Sequence, residues 1–407
     1  MVNDNRIHFT LTQRKRFLLR DSIVADMQAF DADSPENRLS VIDDGTGIEP
    51  EDTISEERIT DPFSPALIRV ETKQITIDLL LSRIKHDELD LQPSFQRKGG
   101  IWNDRAQSRL IESILIRIPL PAFYIDATND GKWLVVDGLQ RLTTLKRFII
   151  DETLKLCGLE FLTSLDGKTH AELPRPLQRR IRETQVTVYL IEKGVPSEIK
   201  FNIFKRINTG DLPLSSQEVR HALNQGKATE LLARLAESQE FKTAIDNGIR
   251  DDRMADRECV LRFFAFTITS YADYKSKEFD SFLNDRMKDM NNMSDQELKK
   301  LEERFLRAMV AAYNIFEKRA FRKFSLDWEK RSPINKALFE AWSVNLDQLN
   351  DEQLQILKER KSKMNRELLK LDGAPAFWDA ISQGTGDIKK VKLRFSAIKK
   401  LIAEVLS

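Results

Sequence analysis

Cysteine and histidine are scarce in this chain of 407 residues, which holds two of the first and four of the second. Cys157 and Cys259 lie far apart in unrelated contexts, which excludes a disulfide framework or a multi-cysteine zinc site. Both read as buried fillers rather than reactive thiols. Such cysteine usage fits a reducing compartment, so a cytoplasmic location is expected. His8, His86, His170 and His221 show no H-E-x-x-H or H-x-H spacing for a metal. No histidine follows His221, so a histidine-dependent hydrolase or nuclease centre cannot lie wholly within residues 222–407. An excess of charge is missing as well: 65 Lys and Arg face 64 Asp and Glu, for a net charge of +1. That balance excludes a protein that coats nucleic acid by bulk positive charge, and any such surface must be a local patch. There is neither a signal peptide nor an apolar run near 18 residues, so no membrane partner is expected.

What remains is a hydrophobic content of 41% with 23 Phe. That suffices for two or three domains at about 150 residues each. Residues 1–64 form a first segment, basic around Arg14, Lys15, Arg16 and Arg20. From Asp31 to Arg58 it carries ten acidic residues against two basic, and it reads as mobile. From residue 65 the pattern changes. Thr76 precedes an amphipathic helix with Leu80, Leu81 and Ile84, Leu89 to Leu91 read as a short strand, and Asn103 or Asp104 can cap a helix that stops before Pro119 and Pro121. Phe123 to Ile125 and Trp133 to Val136 are strand-like around the turn Thr128-Asn129-Asp130-Gly131. A helix from about Leu139 to Ile150 follows, then an alternating strand from Gln185 to Ile191 and a helix from Ser197 to Ile207. Beyond residue 228 strand signals vanish, and Val391, Phe395, Ile398, Ile402 and Val405 draw one apolar stripe along a final helix. The expectation is an α+β domain over residues 65–227 followed by an α-helical domain over 228–407.

The strongest local signal for chemistry is the run Val135-Val136-Asp137-Gly138-Leu139-Gln140-Arg141-Leu142-Thr143-Thr144. A strand delivers Asp137, Gly138 permits a tight turn, and a helix begins at once. Its first amides carry the positive end of the helix dipole and suit an anion. Gln140, Arg141, Thr143 and Thr144 add donors, Arg141 can grip a phosphate through two parallel hydrogen bonds, and Asp137 can hold a magnesium ion or orient water. A plain strand-helix corner, with Asp137 capping the helix and Arg141 paired to it, accounts for the same spacing. Two further groups stand beside it: Pro93-Ser94-Phe95-Gln96-Arg97 with Trp102, and Arg206-Ile207-Asn208-Thr209-Gly210 ahead of a helix with Ser215 and Glu218 at capping-box spacing.

These segments, taken in order with Leu110 to Leu115 and Ile118-Pro119-Leu120-Pro121, resemble the N-terminal domain family of GmrSD-type, modification-dependent restriction enzymes, which is similar to the ParB and sulfiredoxin-like fold. Asp252-Arg253, Asp256, Glu258, Arg262, Asn335 and Glu340 resemble the helical segment that commonly follows. The resemblance implies a nucleoside triphosphate site, with Mg2+, in an antiviral defence protein that senses foreign or modified DNA. Carried over, Asp137, Gln140 and Arg141 would be catalytic and Asp137 the metal ligand. Gln96, Arg97, Gly138, Thr143, Thr144 and Asn208 would contact the nucleotide. Leu139 stands where many relatives have glutamine, and Asp211 where a second glycine is usual. The His-Asn-His nuclease of many relatives is not expected here, which implies a separate nuclease or effector subunit.

Two basic clusters offer DNA contacts, Arg175, Arg179 and Arg180 after Pro174, and Lys389, Lys390 and Lys392 on the last helix. A solvated face balanced by nearby acids accounts for either equally well. The leading expectation is a nucleotide-binding, NTP-hydrolysing DNA sensor. The alternative is a non-catalytic DNA-binding or partner-binding module with a vestigial pocket. A histidine-free nuclease using Asp137 with Asp126 or Glu112 is a third reading. A homo-oligomer is compatible with each.

Overall fold

Alternation of apolar and polar residues makes Gln185–Ile191 a strand, and it becomes the hub of a mixed sheet. The computed structural model describes residues 47–50, 69–91, 102–129, 131–207, 214–250, 253–276, 278–323 and 332–407. Its five strands are β1 (Val70–Thr76), β2 (Leu89–Asp90), β3 (Phe123–Asp126), β4 (Trp133–Asp137) and β5 (Gln185–Ile191), in the order β1-β5-β3-β4-β2. β5 runs antiparallel to β1 and parallel to β3, while β4 is antiparallel to β3 and parallel to β2.

Helices α1 (Ile77–Lys85), α2 (Asp104–Leu115), α3 (Leu139–Ile149) and α4 (Arg175–Glu183) accompany one face. Phe123, Ile125, Val135, Val186, Val188 and Leu190 meet Ile77, Ile111, Leu142, Leu145 and Phe148 in one core there. The opposite face packs Val136 and Ile191 with Ile199, Phe204 and Val219 of α5 (Ser197–Ile207) and α6 (Ser216–Leu223). Local chemistry starts these helices: Thr76, Asn103 and Ser215 each accept a first-turn amide, and Glu218 closes a capping box with Ser215. The same loop logic explains Glu112. It is buried on α2, and its carboxylate accepts the N–H groups of Glu160 (3.0 Å), Phe161 (2.7 Å) and Leu162 (2.7 Å). Burial works against its charge, but those amides together with Arg109 hold the carboxyl below the usual glutamate range.

The rest is helical: α7 (Lys227–Ala236), α8 (Gln239–Ala244), α9 (Ala255–Ile268), α10 (Phe279–Asn292), α11 (Asp295–Phe316), α12 (Lys336–Asp347), α13 (Asp351–Glu359), α14 (Lys361–Asp372), α15 (Pro375–Ser382) and α16 (Ile388–Leu406). α9 is buried on nearly every side, with Cys259, Val260, Leu261, Phe263, Phe264 and Ala265 fully buried and Asp256, Glu258 and Arg262 buried beside them. Phe263 and Phe241 each pack on Phe305 of α11, with ring centres 5.2 and 5.9 Å apart. The expected stripe of α16, from Val391 to Val405, is buried throughout. The fold class is therefore α+β, with the sheet first and the helices after it.

Cys157 departs from its expected role as a buried filler. It is exposed, because its loop passes over α2, where its N–H donates to Ser108 Oγ at 3.0 Å and leaves the thiol at the surface. Cys259 is buried, and that burial pushes its thiol pKa up. No helix of the described residues is long and apolar enough to cross a membrane.

Candidate functional site

The turn between β4 and α3 is built from Gly138 outward. Gly138 adopts φ +98°, and a Cβ there would lie 2.3 Å from Cδ1 of Phe123, so both backbone angle and space require glycine. Gly138→Ala is accordingly expected to destabilise the protein by about 2 kcal/mol or more. A chemical denaturation curve checks this, and a midpoint equal to the parent's would contradict the packing described. With glycine as the N-cap, no side chain caps α3.

Arg141 is buried under this turn. Its Nη2 donates to Asp137 Oδ2 at 2.9 Å and to the Ala122 carbonyl at 3.1 Å, Nη1 donates to the Pro121 carbonyl, and the guanidinium lies 4.4 Å over the Phe123 ring. Burial draws its pKa down while Asp137 draws it back up, and an arginine in such a fork keeps its charge. The guanidinium therefore ties β3, β4 and α3 together. Asp137 is the more accessible partner, its side chain about one-third exposed (35%). Gln140 accepts the Trp102 N–H at 3.3 Å, which brings the start of α2 to the start of α3. Thr144 is buried and donates to the Gln140 carbonyl at 2.8 Å, whereas Thr143 is half-buried. Leu139 is partly buried against the core beneath the sheet.

The structure thus gathers Asp137, Gly138, Gln140, Arg141, Thr143 and Thr144 at one helix start. Gln96, Arg97 and Asn208 lie outside the described residues. Among the described residues no three His, Cys, Asp or Glu side chains are grouped to hold a metal. Asp137 is a lone carboxylate, which suits Mg2+ only when phosphate oxygens and water complete the shell. Asp126 and Glu112 serve elsewhere. Asp126 accepts the Thr128 N–H at 2.9 Å and pairs with Lys200 at 3.2 Å, and Glu112 holds its loop.

The basic clusters are partly committed to the fold. Arg180 donates to the Leu115 carbonyl at 3.0 Å, Arg179 sits 3.8 Å from Glu183, and Lys390 pairs with Asp379 at 2.8 Å. Arg175, Arg179 and Lys389 are exposed, and Lys392 is half-buried.

A buried charge cluster escaped the sequence reading as a unit. Arg220 of α6 pairs with Asp280 of α10 and lies 3.3 Å from Glu258 of α9. Glu258 also receives Arg262 at 2.6 Å and Lys336 at 3.2 Å, and these three cations hold its carboxyl far below the usual range despite burial. Arg262 reaches Glu340 at 3.6 Å, and Glu340 is clamped by Arg394, whose Nε donates at 3.0 Å. The Glu258/Arg262 pair stands at helical i,i+4 spacing, the one part of the cluster that spacing alone exposes.

One segment of the chain is similar to a known family. Residues 77–224 match the GmrSD restriction endonuclease, N-terminal domain. The GmrSD-type segment begins at α1, ends just after α6 and contains the whole Asp137 to Thr144 turn. It implies a component related to restriction and defence. No curated protein matches the chain.

Proposed function

We propose that the chain is a nucleotide-responsive sensor of a restriction-type defence system, acting with DNA and with a separate nuclease or effector. The observation that carries this reading is the start of α3, which no side chain caps, beside the half-buried Asp137 carboxylate, inside the GmrSD-type segment. Amides at a helix start favour a phosphate, and Arg141 neutralises Asp137 so that the carboxylate does not repel it. Asp137 is the residue that would hold Mg2+, and the ion would supply positive charge to offset the triphosphate. Thr143 and Gln140 supply further donors at the same rim.

A second reading has its own support. Arg141 already serves three acceptors, and Leu139 packs inward where a further donor would help, which favours a pocket that binds without turnover. Calorimetry with ATP or GTP and Mg2+, alongside phosphate release with and without modified DNA, separates the two. The sensor reading expects binding and DNA-dependent release, with Asp137→Asn lowering release at least tenfold. Binding without release supports the second reading, and no binding rejects the sensor in favour of a non-catalytic module with a vestigial pocket. Arg141→Ala is a poor probe, because it also removes the brace between β3 and α3.

A further inference from the structure

The acidic N-terminal stretch contributes one short described piece, residues 47–50, and it is held tightly by the helical body. Ile48 forms a parallel bridge with Ile334, with the Glu49 N–H donating to the Ile334 carbonyl at 2.9 Å and the Ile334 N–H to the Gly47 carbonyl at 2.9 Å. The Ile48 side chain is only 5% exposed and joins the helical core. Gly47 has φ +75°, and a Cβ there would fall 1.7 Å from the Gly248 carbonyl oxygen. Glu49 enters a pocket made for an anion. One carboxylate oxygen meets Lys323 Nζ, and the other accepts Asn335 Nδ2 at 3.0 Å. Lys323 is itself buried, donates to Ser382 Oγ at 2.6 Å and sits 4.3 Å over the Trp378 ring.

Each element of this arrangement selects something. The two backbone bonds add an extended segment, the core socket takes an aliphatic residue, and the crowded approach demands glycine before it. A buried ammonium is costly without a counter-charge, so the pocket demands a carboxylate. We infer that the helical body carries a peptide-docking site for a Gly-aliphatic-acidic motif, occupied in cis by Gly47-Ile48-Glu49 of this chain and able to take the same motif in trans. This is independent of nucleotide binding at Asp137.

The test uses the full chain and a fluorescent peptide of residues 43–54. Two variants empty the site without touching the pocket side chains, Ile48→Asp with Glu49→Lys, and separately Gly47→Val. Fluorescence anisotropy should show saturable peptide binding to both variants. Binding to the parent should be at least about tenfold weaker, because a tethered occupant competes at millimolar effective concentration. Adding Lys323→Met, or changing the peptide's glutamate to lysine, should abolish binding. Equal binding to parent and variants would overturn the proposal, as would folded variants that bind nothing. Loss of cooperative melting in both variants would overturn it too, since it would make the segment a fixed staple rather than an exchangeable occupant.

Discussion

Arg394→Met is expected to lower the folding free energy by about 3–5 kcal/mol, the range for removing one partner of a buried ion pair. Arg394 and Glu340 are both fully buried, and the guanidinium also donates to the Ala380 carbonyl at 3.2 Å, tying α16 to α12 and α15. Removing it takes the Arg394 clamp from a Glu340 carboxylate that stays inside the core, with Arg262 3.6 Å away. The cost is the weakened compensation of a buried charge rather than the net worth of the pair. The double variant Glu340→Leu with Arg394→Met should therefore recover most of the loss. Urea denaturation of the three proteins at one pH checks this. A single variant within about 1 kcal/mol of the parent would refute the buried-charge account.

The second large effect is acid lability carried by His221. This residue of α6 is buried, and desolvation, with the Arg257 charge adding to it, pushes its pKa down to about 4. Its folded pKa is thus below the unfolded value of about 6.5, so the unfolded chain binds the proton more readily. The contribution is full above pH 6.5 and is lost as pH falls from there toward 4. Linkage gives about 2 kcal/mol of lost stability between pH 7 and pH 5 from this one group. His170 acts in the same direction, its pKa lowered by burial and by Arg182 and Arg175. His221→Gln should flatten the fall between pH 7 and pH 5 whatever it does to stability at pH 7. An unchanged slope would remove His221 as the cause.

Legibility in the sequence followed the range of the forces involved. Caps at Thr76, Asn103 and Ser215, the strand Gln185–Ile191 and the apolar stripe of α16 depend on neighbours within a few residues, and the sequence pattern located each of them. The turn at Gly138 was equally local. Arg141 was harder, because a guanidinium that grips phosphate and one that braces a corner share the same spacing from Asp137. The Pro121 and Ala122 carbonyls that complete its brace lie some twenty positions away. Glu258 and Arg262 were visible as residues but not as a cluster, since Arg220, Lys336 and Glu340, with Arg394 behind Glu340, reach them only through the packing of four helices. Ile48 and Glu49 looked like any acidic tail, because their partners Ile334 and Lys323 are hundreds of positions further along.

The position of Arg220 also bears on where the polypeptide can be divided. The GmrSD-type segment ends at residue 224, within a turn of an arginine whose counter-ions, Glu258 and Asp280, belong to helices further on. Ala222 and Met254 meet Leu134 at the same seam. A cut at that edge would strand a cation on one fragment and two carboxylates on the other, so the unit that inheritance marks out by sequence is not one that can be lifted out intact.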